Sequence, residues 1–71
     1  MSDSRLSLLV NGEPRLMAPG STLADLVAAL GLERRRVAVA VNRDIVSRRS
    51  FGERRLAAGD RIEILEAVGG G

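Results

Sequence analysis

Cysteine, histidine, lysine, tyrosine and tryptophan are all absent from this sequence. Without cysteine there is no thiol nucleophile, no disulfide and no thiolate ligand for zinc or an iron–sulfur cluster. Without histidine the chain lacks the commonest general base and the commonest metal ligand. Without lysine it cannot form a Schiff base. These absences predict a protein that is not itself an enzyme and that binds no metal and no cofactor.

Phe51 is the only aromatic residue, so the chain has no set of rings on which nucleic-acid bases could stack. Eleven arginines and nine acidic residues leave a net charge of +2, and we expect no nucleic-acid partner. The arginines cluster at 34–36, 48–49 and 54–55. Each cluster is either a solvated surface or a basic patch that steers an acidic protein partner. Phe51 itself is expected to anchor the core.

The chain has 71 residues, of which 45% are hydrophobic and 28% charged, a composition typical of one globular domain over 1–71. No apolar run approaches the roughly 20 residues that a membrane helix needs. Residues 1–4 carry no signal-peptide pattern, so we expect no membrane contact and a cytoplasmic location. Residues 1–4 are expected to be disordered, and 69–71 to form a flexible tail.

Turn and cap residues divide the chain into short elements. Asn11-Gly12 predicts a hairpin between a strand at 5–10 and a second strand from about Pro14 to Ala18. Thr22 is a candidate helix N-cap, and Gly31 is a suitable residue to end that helix. The apolar residues of the helix recur on one face, and they are Leu23, Leu26, Val27 and Leu30.

The second half of the sequence indicates three more strands. They lie at 37–41, 45–46 and 61–66, the last continuing through 67–68, and the polar segment 47–56 is expected to be irregular. The unbroken apolar run at 37–41 indicates a strand that is covered on part of both faces. The order ββαβββ predicts an α+β fold, with one helix packed on a mixed sheet of four to five strands.

Three glycines, Gly69, Gly70 and Gly71, close the sequence. They are either an inert end or an arm that presents the carboxylate of Gly71 to another protein. Because glycine has no Cβ, Gly69 and Gly70 would let such an arm thread a narrow channel in a partner. Leu65, Ala67 and Val68 precede the arm. They are either ordinary strand residues or an apolar collar that contacts the partner.

Several short motifs occur in one register from about Leu6 to Gly71, and together they resemble the ubiquitin-like β-grasp proteins. Among these, the chain is most similar to the ThiS family of sulfur carriers. Ser47 stands where relatives often have proline after "IV". The matching stretches are Val10-Asn11-Gly12, Pro19 to Leu23, Leu26 and Leu30, the "AVAVN" strand at 37–42, Ile45-Val46, 58–64 and the "VGGG" end at 68–71.

The resemblance implies a function for Gly71. In such carriers an E1-like adenylyltransferase (ThiF-like) uses ATP to adenylate the terminal glycine, and a sulfur donor such as a cysteine desulfurase system converts it to a thiocarboxylate. The carrier then donates sulfur to a thiazole synthase (ThiG-like) in thiamine biosynthesis. The chain would be a co-substrate of these enzymes. Two alternatives stay open, namely a MoaD-like sulfur carrier for molybdopterin synthesis and a β-grasp interaction module with an inert tail.

Overall fold

The computed structural model describes residues 5–66. The expectations for residues 1–4, for the tail at 69–71 and for a strand continuing through 67–68 all lie outside the described residues. Within 5–66 the elements form one five-stranded mixed sheet and one α-helix, as the α+β prediction requires.

The chain begins with a hairpin of β1 (Leu6–Val10) and β2 (Glu13–Met17). Asn11 and Gly12 have φ values of 51° and 83°, and two consecutive positive φ angles are what a tight two-residue hairpin turn needs. The pairing of Val10 with Glu13 closes that turn. Strand β2 therefore begins one residue earlier than expected, and it lies at the edge of the sheet, where Pro14 is tolerated.

Helix α1 (Leu23–Ala29) follows a capping box. The Thr22 amide donates to the Asp25 carboxylate at 2.8 Å, and the Asp25 amide donates to the Thr22 hydroxyl at 3.2 Å. Each side chain thus satisfies a backbone donor that the first turn of a helix would leave unpaired. The helix ends at Ala29, and Gly31, which follows the C-cap Leu30, has a φ of 73° that suits glycine.

After the helix come β3 (Val37–Val41), β4 (Asp44–Val46), a 3₁₀ turn (Arg48–Ser50) and β5 (Arg61–Glu66). The strand order across the sheet is β2-β1-β5-β3-β4. Strand β5 pairs parallel with β1 and antiparallel with β3, which makes the last strand in the sequence the central one. The 3₁₀ turn gives regular structure to part of a segment that was expected to be irregular.

The core lies between α1 and one face of the sheet. Phe51 is buried there, as predicted, and its carbonyl accepts the amide of Ala24 at 3.0 Å. The side chains that are buried with it are Leu8, Val10, Leu23, Leu26, Val27, Val39, Val41, Leu56, Ile62 and Ile64.

The opposite face of the sheet, here called the outer face, has no layer of described residues over it. In β3 the valines at 39 and 41 are buried, whereas Ala38 is exposed and Ala40 is half-buried. The expectation that β3 is partly covered on both faces is therefore wrong at Ala38. Its apolar run arises because valines face the helix while alanines face outward, and neighbouring side chains alone cover part of Ala40.

Two asparagines tie β5 to its neighbours. The Asn11 side chain donates to the Ile64 carbonyl at 3.1 Å and accepts the Ile64 amide at 2.8 Å. The Asn42 side chain accepts the Arg61 amide at 2.9 Å and donates to the Asp60 carboxylate at 3.0 Å. Both asparagines also have a φ of 51°, so each one ends a strand and at the same time positions β5.

Replacing Asn11 with alanine should therefore lower stability considerably. The variant loses two partly buried hydrogen bonds of about 1 kcal/mol each and places alanine at positive φ, which is unfavourable. We expect the melting temperature to fall by about 10 °C or more, since about 1 kcal/mol shifts a domain of this size by roughly 4–8 °C. The measurement is thermal unfolding followed by circular dichroism.

Asn11→Gly is the matched control because glycine accepts the positive φ and loses only the hydrogen bonds. It should fall between the wild type and Asn11→Ala. An alanine variant that melts within a degree or so of the wild type would contradict this role for Asn11.

Candidate functional site at the end of strand β5

The segment that carries the candidate reactive residue starts from the central strand of the sheet. Glu66 is the last residue of β5 and pairs with Val37 of β3. The next five residues in the sequence are Ala67, Val68, Gly69, Gly70 and Gly71. They lie outside the described residues, so their predicted roles stay predictions. The structure does show that the point from which they depart is paired with β3, whereas the pairing of β5 with β1 ends at Ile62.

An ion pair joins the end of β5 to the loop that follows α1. A guanidinium nitrogen of Arg35 lies 3.0 Å from a carboxylate oxygen of Glu66, and both side chains are partly exposed. Exposed pairs of this kind contribute about 0.2–1 kcal/mol. The pair therefore orients Glu66 and adds little to the stability of the domain.

Arg48 fixes the same loop from the other side. Its guanidinium donates to the backbone carbonyls of Glu33, at 3.0 Å, and of Arg35. It also lies 5.9 Å from the centre of the Phe51 ring, which is within cation–π range. Contacts thus run from the only aromatic residue, through Arg48 and the loop, to Glu66.

The arginines of the clusters at 34–36 and 48–49 consequently divide into two groups. Arg35 and Arg48 are engaged within the molecule, and sequence reasoning missed both contacts because they join distant positions. Arg34, Arg36 and Arg49 are exposed and make no hydrogen bond or ion pair with any residue in 5–66. They are available either to water or to an acidic partner, the two possibilities that the sequence left open.

Leu65 lies on the outer face with 74% of its surface exposed. Its neighbours in β5, Ile62 and Ile64, are 0% and 7% exposed beneath the helix. Strand alternation thus places Leu65 away from the core. Contact between Leu65 and a partner stays a prediction.

Sequence reasoning missed a second exposed aliphatic residue on this face. Ile45 of β4 is 84% exposed and pairs across the strands with Ala40. A shallow depression of about 120 Å³ separates Ile45 from Leu65, with Ala38, Val39, Ala40 and Glu63 as its other lining residues. Counting alternate residues back from the inward-facing Val46 would have placed Ile45 on the outer face.

The described residues offer a scaffold and a binding surface. Within 5–66 no group of three or more acidic side chains is placed to hold a metal ion. No helix in that range is long and apolar enough to cross a bilayer. The glycine segment departs from Glu66, at the end of β5. Exposed Leu65 precedes that point, and Arg36 adjoins Val37, the residue opposite Glu66.

Comparison with known proteins bears on this arrangement. The model of the ThiS family matches residues 8–71, which includes the glycine segment. A crystal structure of the thiamine biosynthesis protein ThiS from Geobacter metallireducens superposes with a TM-score of 0.78 at 30% identity, covering 93% of this chain and all of that one.

Relatives in sequence include two thiazole synthases. The one from Paramagnetospirillum magneticum is 36% identical over 66 residues, and the one from Magnetococcus marinus is 38% identical over 66 residues. In both cases the match takes in 93% of this chain and 20% of the synthase, so the chain spans about a fifth of their length. An uncharacterized protein, ycf40 of Porphyra purpurea, is 30% identical over the full length of both chains.

The ion pair at Glu66 leads to a specific prediction. In Arg35→Ala the amide of Leu65, which faces Ala38 in the β3–β5 ladder, should exchange with solvent several-fold faster, because the strand end loses its side-chain tether. The melting temperature should fall by less than about 5 °C, since an exposed pair contributes little. Hydrogen exchange followed by NMR measures the first effect, and thermal unfolding measures the second.

Arg36→Ala is the matched control, because Arg36 adjoins Val37, the residue opposite Glu66, and has no side-chain partner within 5–66. Equal exchange rates at Leu65 in the wild type and in both variants would show that the Arg35 pair does not hold the strand end.

Proposed function

The chain belongs to the ThiS family, and we propose that it is a sulfur carrier of thiamine biosynthesis that holds sulfur on the C-terminal carboxylate of Gly71. The observation that carries this proposal is the departure of the glycine segment from the centre of the sheet. Strand β5 is paired with β1 at Arg61 and Ile62 and with β3 as far as Glu66, and only four residues lie between Glu66 and Gly71.

The chemistry begins with activation, because a free carboxylate is a poor electrophile. An E1-like partner binds ATP, and the Gly71 carboxylate attacks its α-phosphate. Pyrophosphate leaves, and an acyl-adenylate forms. The persulfide of a donor such as a cysteine desulfurase system then attacks the carbonyl carbon and expels AMP, which leaves an acyl disulfide. A thiol reductant cleaves its S–S bond, releasing the thiocarboxylate while the thiol is oxidised to a disulfide. The product is a thiocarboxylate at Gly71.

The residue content of the chain suits this role. With no cysteine, the chain has no thiol to hold sulfur, which leaves the terminal carboxylate for that purpose. With no lysine or cysteine, it also has no side-chain amine or thiol that would capture its own activated end. Gly69 and Gly70 carry no Cβ, so they pass through a channel too narrow for other residues.

Thiazole synthase is the proposed acceptor of the sulfur. In two proteins of that name, a segment similar to this chain makes up about a fifth of the polypeptide. The presence of a carrier-like segment in the same polypeptide as a thiazole synthase supports a joint function of the two. It also favours thiazole formation over molybdopterin synthesis as the pathway of this chain. Leu65, Ala67 and Val68 form the apolar collar that meets the partner. The chain is a co-substrate, and ATP is bound by its activating enzyme.

The proposal predicts a thiol-reactive group on a protein without cysteine. Protein produced with its activating enzyme and a sulfur source should gain about 16 Da and then react with one equivalent of an alkylating reagent at Gly71. Alkylation is needed because oxidation of Met1 or Met17 to the sulfoxide adds the same mass. Intact-mass spectrometry and peptide mapping measure both changes.

Deleting Gly70 and Gly71 should abolish this capture and leave the melting temperature unchanged, because the buried core cluster of residues 5–66 runs from Leu8 to Ile64. Protein made without the activating enzyme is the control for non-specific labelling. Failure of the full-length chain to react, with an activating enzyme shown to work on a known carrier, would contradict the proposal.

A further inference from the structure

The outer face carries an apolar patch that extends well beyond Leu65, the one residue it shares with the collar of Leu65, Ala67 and Val68. We define the outer-face patch as Ala38, Ala40, Ile45 and Leu65, with Glu63 among them. We propose that it is the docking surface for thiazole synthase, and that the synthase presents an apolar surface with a basic side chain opposite Glu63. This inference rests on the proposed function and names the partner of the same site.

The strand register makes these residues contiguous. Ile45, Ala40 and Glu63 lie in one row across β4, β3 and β5, and Ala38 and Leu65 lie in the next row. Single exposed aliphatic residues are ordinary on protein surfaces, but a group of them is typical of an interaction site. The depression between Ile45 and Leu65 holds about 120 Å³. It gives a partner side chain a place to insert, as interface anchors do.

The length of the chain beyond β5 limits where an acceptor enzyme touches this protein. Five residues follow Glu66, and an extended chain spans at most about 3.3–3.6 Å per residue. An active site that receives Gly71 therefore opens within roughly 17 Å of Glu66. The outer-face patch reaches Leu65, the residue next to Glu66. On the other face of the sheet, the apolar side chains are already covered by α1.

Glu63 determines the chemistry of the partner surface. Its carboxylate makes no hydrogen bond or ion pair with any residue in 5–66, and its neighbours in the patch are apolar. A docked protein would remove that carboxylate from water, which is unfavourable unless a cation or hydrogen-bond donor pairs with it. A partner protein that fits this surface therefore places an arginine or lysine opposite Glu63.

The synthase is chosen as the occupant over the activating enzyme because of the two thiazole synthases that include a segment similar to this chain. In those polypeptides the carrier-like segment stays together with the synthase throughout the reaction. A surface that fits the synthase is therefore expected on the carrier itself.

The test is the dissociation constant between the full chain and the thiazole synthase of the same organism, measured by calorimetry. Ile45→Asp should weaken binding by at least about tenfold, the effect of losing an anchor residue. Ile45 is exposed on an edge strand, so the variant should melt as the wild type does. Leu16→Asp is the matched control, because Leu16 is 53% exposed on β2, at the opposite edge of the sheet from Ile45. It should bind within about twofold of the wild type.

Charge variants test the role of Glu63 directly. Glu63→Gln should weaken binding several-fold and reduce its dependence on salt, because one screened ion pair is lost. Glu63→Arg should weaken binding further than Glu63→Gln, because two cations would then face each other. Tighter binding by Glu63→Gln would overturn the basic group assigned to the synthase.

The remaining outcomes separate this inference from the proposed function. Thiocarboxylate formation is measured on the wild type and on Ile45→Asp in parallel. A wild type that never forms thiocarboxylate refutes the proposed function. Normal thiocarboxylate formation, together with unchanged synthase binding by Ile45→Asp, refutes the docking surface alone. If Ile45→Asp loses thiocarboxylate formation but still binds the synthase, the patch belongs to the activating enzyme and our assignment is wrong.

Discussion

Burial of one face of β5 beneath α1 is the constraint on which the rest of the structure depends. Ile62 and Ile64 lie under the helix, and β1 and β3 pair with β5 on its two sides. The last strand in the sequence is thereby the most enclosed one. Anything that follows it leaves from the centre of the sheet, at a point fixed by main-chain hydrogen bonds, by Asn11 and by the Arg35 ion pair.

The same constraint explains why the outer face of β5 is free for binding. A single helix covers one side of a five-stranded sheet, and alternation then turns Glu63 and Leu65 outward. The surface nearest to the glycine segment is consequently both open and apolar. A domain of this size obtains a rigid core and a binding surface from one strand, without a second layer.

Local signals allowed much of the fold to be predicted from the sequence. Asn11-Gly12 predicted the hairpin, and Thr22 with the apolar face of the helix predicted α1, because a few adjacent residues determine each of these elements. The arginine contact between Arg48 and the loop at Arg35 joins positions 13 residues apart, and no local pattern indicates it.

Local sequence patterns also do not indicate the binding surface, and they do not by themselves give the role of the candidate reactive residue. The exposure of Ile45 depends on how β4 pairs with β3, which only the sheet register decides. The role of Gly71 was inferred from its chemistry and from the family resemblance.

A single-turnover transfer experiment tests that role most directly. Carrier that bears isotopically labelled sulfur at Gly71 is mixed with thiazole synthase and the other substrates of the synthase. We predict that the label appears in the thiazole product while the carrier returns to the carboxylate form. Product that forms without the label would contradict the account.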